Sequence, residues 1–309
     1  MAASSLSEAI AVAPRKQAMR QLKERFVESV LFLCAFSCVA VTIAIMVILG
    51  TESIGLFQAV SPWDFFTGKE WAPLFEPPRY GVLPLVSGTL TTTAIALTVA
   101  IPLGTTIAMF LSEFAAPKVR VWVKPILEIL AGVPTVVYGY FALLFVTPLF
   151  QYFLPNLPGF NMLAAGMVMG IMIVPQISSL SEDAMRSVPA ELREGSYAAG
   201  ATRLQTAWKV VFPAAFSGIS SSYILGISRA VGETMIVSIA AGLQPTLSFN
   251  PTDSAATMTA YIVQVSLGDL PHASIGYQTI FAVGLLLVSI TLVFNTIGHW
   301  LKRRYREQY

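Results

Sequence analysis

Long apolar runs alternate with short polar connections along the whole chain. Six of these runs, near residues 29–50, 83–111, 126–153, 161–180, 215–242 and 275–300, are about the length of a membrane crossing. A helix needs about 20 residues to span a hydrocarbon core of about 30 Å. The pattern predicts an all-α membrane protein with six transmembrane helices, so both termini lie on the same side. The fourth run is the least uniform, because Pro175 and Gln176 interrupt it. Pro102, Pro134 and Pro175 are expected to break their spans and mark hinges.

Composition agrees with the pattern. Of 309 residues, 55% are hydrophobic and 12% charged, whereas an ordinary soluble domain carries about 25% charged residues. A net charge of +2 is too small to suggest a nucleic-acid partner. The distribution of charge says more. Apart from Lys69, Arg79 and Arg229, all 19 Lys and Arg lie before the first run, after the last, or in the second-to-third and fourth-to-fifth connections. The excess of Lys and Arg in cytoplasmic loops therefore places both termini in the cytoplasm.

Residues 1–28 form a basic N-terminal segment with Arg15, Lys16, Arg20, Lys23 and Arg25, and residues 301–309 a basic tail with Lys302, Arg303, Arg304 and Arg306. Met1 to Pro14, small and polar, is expected to be unstructured. A long basic region followed by a full-length apolar run reads as an uncleaved first helix, not a signal peptide. Cys34 and Cys38, one turn apart in the first span, read as small packing residues rather than a redox or metal pair.

Of the three connections that face the exterior in this topology, two are long. Residues 51–82 are rich in Trp, Phe and Pro; they either anchor at the membrane interface or form an ordered cap. Residues 243–274 contain Asp253 and Asp269 but no Lys or Arg, and Ala256 to Leu267 fits a short re-entrant or interfacial helix.

The connection at 181–214 is different. Pro189, Glu191 and Glu194 suit the start of a helix, where acidic groups meet the positive dipole end. Gly200 suits its stop. Thr202 followed by Gln205 is a capping-box pattern that restarts a helix. Leu204, Trp208 and Val211 are expected to share one face of it. A helix–Gly–helix hairpin of this kind is a docking element.

Glu194, Gly200 six residues later, then Val210, Phe212 and Pro213 resemble the EAA loop of ABC-importer permeases. Gly195 and Ser196 replace its two alanines, and Val210 and Phe212 its Ile and Leu; the spacing is kept. The segments LAGVPTVVYGYFALL (130–144), FFTGKEWAP (65–73), GVLPLVSGTL (81–90) and SRAVGETM (228–235) are similar to phosphate-specific permeases. Met235 and Ile236 after Gly-Glu-Thr, and the long first external loop, resemble the PstC-type subunit more than its PstA-type sister.

The resemblance implies a type I ABC importer permease fold in a bacterial inner membrane, forming half of a translocation pathway. It implies that Glu194, Gly195, Ser196, Gly200, Val210, Phe212 and Pro213 couple the chain to an ATPase. The partners implied are a PstA-type permease, two PstB-type ATPases that bind ATP and Mg, an external PstS-type phosphate-binding protein and membrane lipid. No cofactor is implied in this chain.

Arg229 lies about 21 Å into the fifth run at 1.5 Å per residue, and a central arginine costs about 2.5–3.5 kcal/mol on insertion scales. Glu233 is four residues on, hence on the same face of a continuous helix, where pairing lowers the cost of burying both. Gly226 and Gly232 would let another helix approach. Either this is a structural ion pair, or Arg229 and Glu233, flanked by Ser228 and Thr234, line an anion path in which the guanidinium meets phosphate oxygens. Glu233 would then accept a hydrogen bond from protonated phosphate and repel sulfate, which has no proton to donate. Thr89, Thr91, Thr92 and Thr93 either line the outer mouth or bond back to their own helix. Glu128, His272 and His299 are expected at interfaces.

Other classes fit poorly. No His-Glu-x-x-His motif is present, and neither Gly218-Ile-Ser220 nor Gly226-Ile-Ser228 is followed by Gly. Gly50 and Gly55 have Walker spacing, but Leu56-Phe57 stand where Lys and Ser/Thr belong. The chain is expected to be neither an enzyme nor an ATPase. A channel or secondary anion transporter would leave the hairpin unexplained, and molybdate or sulfate are alternative cargoes within the same class.

Overall fold

The computed structural model describes residues 2–73, 75–268, 270–271 and 274–304, so Asp269, His272 and Arg306 fall outside the described residues. The chain forms two compact units, Met1–Thr51 and Glu52–Tyr309. Most of helix α1, Ala2–Ala59, belongs to the first. The opening residues are therefore helical and not unstructured as expected, in keeping with the high helix propensity of their alanines. The stretch Lys23–Ala59 contains an 18-residue window with a mean hydropathy of 2.8, none of it buried within the chain. Its solvent is lipid. Cys34 and Cys38 stand exposed and free on it, not packed in a core.

In the second unit the segment after α1 is an ordered cap. It comprises α2 (Pro62–Thr67) and a two-residue antiparallel ladder, β1 (Trp71–Ala72) with β2 (Arg79–Tyr80). Phe65 and Trp71 are buried in it. The Trp71 ring meets Tyr261 edge-on at 5.0 Å. Aromatic burial of this kind settles the choice between cap and interfacial anchor for these two residues, while Trp63 and Phe75 remain about three-quarters exposed.

The chain then runs through α3 (Leu83–Phe114, ending in a π turn), α4 (Pro117–Ala131), α5 (Thr135–Phe153), α6 (Met162–Arg186), α7 (Ala190–Ala198), α8 (Arg203–Ala214) and α9 (Phe216–Val231). Helix α10 begins as Met235–Val237 and finishes as the π turn Ser238–Gly242; α11 (Met258–Ser266) and α12 (Ile275–Arg304) complete the fold. Helix α11 is the short helix expected between 256 and 267. Five described helices are long and apolar enough to cross a membrane, or six if α8 and α9, bent by 74° at the break between them, count as one span.

The third span begins later than expected. Instead of one run over 126–153, α4 and α5 are separated at Gly132–Pro134, because Pro134 has no N–H to give and holds an extended backbone at the start of α5. Helix α4 buries none of its residues. Pro102 and Pro175, by contrast, lie inside the continuous helices α3 and α6, so only one of the three prolines breaks a span.

Helices α3 and α6 form the centre of the unit. Small residues let them approach closely, the packing mode that membranes favour, around a cluster of Ala96, Ala100, Met169, Met172, Ile173 and Ile177 that also takes in Ala230 and Ile236. Thr89, Thr91, Thr92 and Thr93 of α3 are all buried. Thr89 and Thr92 bond back to the carbonyls of Leu85 and Gly88, and Thr89 also accepts the Met258 N–H. The hydroxyls of Thr91 and Thr93 have no partner among the described residues. Gly298 packs on Ile224, so α12 runs antiparallel to α9 and brings Lys302 and Arg303 to the end of the unit that holds α7 and α8. The cap, with Lys69 and Arg79, sits at the other end.

Candidate functional site: the exposed hairpin and the broken fifth span

Helix α7 starts after Pro189 and stops in the way its sequence dictates. Gly200 has φ +84, a left-handed conformation that costs other residues about 1–2 kcal/mol. The Gly200 N–H donates to Tyr197 O and the Ala201 N–H to Ser196 O, which is a Schellman closure. The capping box forms as expected: Thr202 Oγ1 accepts from the Gln205 N–H and Gln205 Oε1 accepts from the Thr202 N–H. A 2.8 Å hydrogen bond between the Ser196 and Thr206 hydroxyls ties the two helices together.

No residue of α7 is buried, and Glu194, Gly195 and Gly200 are exposed. A Cβ on Gly195 or Gly200 would meet nothing within 4 Å. Gly200 is needed for its backbone angle alone, not for close approach. Val210 and Phe212 are half-buried, and Pro213 is exposed. Leu204, Trp208 and Val211 do not share a face: the first two are more than half exposed, while Val211 is fully buried. The π turn Ala207–Val211 shifts the phase. It places Trp208 beside Phe212, with ring centroids 5.3 Å apart, along an apolar groove that includes Phe110 and Phe114 of α3.

Two ion-pair groups at this end were not legible as such in the sequence. Arg193 donates to both oxygens of Glu113, at 3.2 and 2.9 Å, and to the carbonyls of Val188 and Met185. Glu182, wholly buried, lies 2.6 Å from Arg120 and 3.1 Å from Lys124; the Arg120 contact is an ion pair without hydrogen-bond alignment. Burial alone would lower the pKa of Lys124, but its hydrogen bonds to Asp183 and Glu182 outweigh that and raise it above the usual lysine value. The available signal was an acid, Glu113 or Glu182, closing an apolar run beside a basic connection.

The fifth span is where the structure departs most from expectation. Helix α9 ends at Val231, Gly232 to Thr234 are non-helical, and α10 starts at Met235. Arg229 is therefore in the last turn of α9 while Glu233 lies in the break beyond it, and the two do not pair. Among the described residues no carboxylate lies within 4.0 Å of the Arg229 guanidinium. Arg229 is half-buried, with Nη2 3.9 Å from Met172 Sδ. Glu233 is 8% exposed. Its carboxylate accepts the N–H groups of Met235 and Ile236 at 3.1 and 3.4 Å.

The physical reason is local. A glycine removes side-chain support for the helix, and a carboxylate that can satisfy the free N–H groups of a new helix start stabilises the break. Each charge sits at the helix end that suits it: Arg229 in the last turn of α9, and Glu233 at the first turn of α10. Thr259 donates to Glu233 O at 2.7 Å and so fastens the break to α11. Ser228 donates to Asn295 of α12, while Thr234 bonds to Gly232 O. Gly226 gives the close approach expected of it, since a Cβ there would lie 3.0 Å from Ile177. Gly232 does not; it is exposed and meets only its own backbone.

Chemically, the break presents an uncompensated guanidinium with free donors, next to a carboxylate already used by backbone amides. Irregular backbone at membrane depth is tolerated where it lines a cavity or is buried in protein.

Comparison with known proteins agrees with this architecture. The chain is 37% identical over 287 residues to the probable ABC transporter permease protein YqgH of Bacillus subtilis, covering 92% of this chain and 93% of that one. It is 33% identical to the phosphate transport system permease protein PstC of Mesorhizobium japonicum, covering 86% and 88%. Among solved structures, a bacterial alginate ABC transporter in complex with an alginate-bound periplasmic protein matches with TM-score 0.60 at 17% identity, over 90% of this chain and 96% of that one. The MetNI methionine ABC transporter in an inward-facing conformation matches with TM-score 0.53 at 19% identity, over 74% and 95%. Both share the fold of type I importer permeases. A family model for binding-protein-dependent transport system inner membrane components matches residues 100–307, which span the hairpin and the broken helix alike, and the chain belongs to that family of membrane permeases.

Proposed function

We propose that the chain is the PstC-type permease subunit of an ATP-driven phosphate importer and forms half of its translocation path. The observation that carries the cargo assignment is Arg229: a half-buried arginine in the break of a membrane helix, with no carboxylate partner among the described residues. A guanidinium offers planar, fixed donors that match phosphate oxygens, and in a low-dielectric site such bonds are strong. The likeness to a protein named as a phosphate permease over 86% of the chain supports the same reading.

In this reading the hairpin α7–α8 lies in the cytoplasm with both termini, as the Lys and Arg distribution favours. Glu194, Gly195 and Ser196 enter a groove of a PstB-type ATPase, which binds ATP and Mg. A PstA-type permease supplies the second half of the path, and a PstS-type phosphate-binding protein docks over the cap. Closure of the ATPases moves the hairpins and changes access to Arg229. A secondary transporter would give α7, none of whose residues is buried, nothing to hold.

The test is reconstitution of the chain with its three partner types in proteoliposomes. Phosphate uptake that requires ATP and is little affected by excess sulfate or molybdate is expected. Uptake of those anions in place of phosphate, or uptake in the absence of the ATPase, would overturn the proposal.

A further inference from the structure

Helix α7 has no fully buried residue, which suits docking but raises the question of how its movement reaches the membrane. Among the described residues, apart from the Ser196–Thr206 bond to α8, Arg193 makes the only side-chain hydrogen bonds from α7 to other elements. It reaches Glu113 in the terminal π turn of α3, Met185 O at the end of α6 and Val188 O just beyond it. The Arg193 and Glu113 side chains are only 19% and 5% exposed. The contact is a shielded, multi-point junction and not a loose surface pair.

We propose that Arg193 is a positioning residue that locks the hairpin to α3 and α6, so that movement imposed on α7 is passed to both spans as one body. The proposal rests on the reading of α7 as the ATPase-docking helix. Beyond the junction the connection is continuous. Helices α3 and α6 pack along their lengths, Ile177 of α6 seats Gly226, and Met172 of α6 touches Arg229. The second route, through α8 into α9, is interrupted by a 74° bend and so transmits force less directly. Arg193 meets four acceptors, both oxygens of Glu113 and two carbonyls; a lysine ammonium is a single point with three donors and cannot satisfy all four.

The experiment uses the assembled complex in lipid nanodiscs, with Cys34 and Cys38 replaced by serine. Spin labels at Glu191→Cys on α7 and Leu103→Cys on α3, both at exposed positions, report the distance across the junction. With Arg193 present, the distance distribution should be narrow and unchanged between the nucleotide-free and vanadate-trapped states. With Arg193→Lys it should broaden. Phosphate uptake per complex should fall about tenfold or more, as expected for loss of charge-assisted hydrogen bonds, while complex yield and ATP hydrolysis stay near wild type. Glu113→Gln, which keeps the shape of the acid, should act the same way and stands in should Arg193→Lys fail to assemble. A distribution that stays narrow in both variants, or uptake that merely follows yield, overturns the proposal. The label distances require no cargo. Failure of the wild-type complex to transport phosphate would therefore count against the proposed function and leave the junction still measured by those distances.

Discussion

Removing the charge of Arg229 separates structural from functional roles because of the way the fifth span is broken. Had Arg229 and Glu233 formed an ion pair, Arg229→Gln would strand a buried acid and cost folding energy. The structure implies the opposite. Glu233 is held by two backbone N–H groups of α10, and no carboxylate depends on Arg229. The substitution removes a cation whose insertion costs about 2.5–3.5 kcal/mol at a helix centre. It forfeits only a 3.9 Å contact to the Met172 sulfur and the favourable end of α9, the latter about 0.3–1 kcal/mol. Yield of the folded complex should therefore be unchanged or higher.

Transport should respond in the other direction. Two charge-assisted hydrogen bonds to phosphate, at about 1.5–3 kcal/mol each, amount to about 3–6 kcal/mol, or at least about a hundredfold in rate or affinity. The assay is ATP-driven uptake of radiolabelled phosphate in proteoliposomes, normalised to complex recovered by size-exclusion chromatography. Uptake by Arg229→Gln within threefold of wild type would refute the reasoning. So would a collapse of yield, which would show that the cation holds the fold.

Other outcomes follow from the same geometry. Gly200→Ala should cost about 1 kcal/mol through its left-handed angle alone, with Gly200→Asn milder and Gly200→Arg abolishing coupled uptake in a fully inserted protein; equal uptake in all three would remove Gly200 from the coupling loop. Glu182→Ala leaves Arg120 and Lys124 facing each other around an empty site, and breaking a buried pair of this kind costs about 3 kcal/mol or more; the monodisperse fraction in detergent should drop sharply, and an unchanged melting temperature would contradict the assignment. In intact cells lacking Cys34 and Cys38, cysteines at Ser4 and Lys302 should be shielded from an impermeant reagent and one at Lys69 should react; labelling of either tail would overturn the cytoplasmic placement of the termini.

Much of the fold was legible because lipid leaves few choices. Apolar length fixes where helices cross: the five long helices fall on five of the six runs, and the fifth run, 215–242, holds the shorter helices α9 and α10. The hairpin was legible in detail because its stop and restart depend on local chemistry: Gly200, Thr202 and Gln205 do what their side chains allow in any context. The breaks were not legible. Gly132–Pro134 divides a run that hydropathy joins, whereas Pro102 and Pro175, identical in type, leave their helices whole because neighbouring helices hold them. The candidate path was half legible. Residue type picked out Arg229 and Glu233, but a 3.6-residue period cannot reveal that Gly232 ends the helix between them. The phase of α8 was lost for a similar reason, since a π turn adds a residue to a turn without changing composition. Arg193 and Glu113 are 80 positions apart, and no local pattern joins them.

That no carboxylate pairs with Arg229 among the described residues has an electrical consequence. A carboxylate that let go of the arginine as each anion arrived would swing its own charge and offset part of the charge entering. Glu233 is tied to the amides of α10 and has no such stroke. An anion crossing past Arg229 then carries its full charge through the membrane field, about 2.3 kcal/mol for each elementary charge per 100 mV. With the cell interior negative, that work opposes entry. Uptake through this chain should accordingly slow as the membrane is hyperpolarised and quicken when a potassium ionophore collapses the voltage.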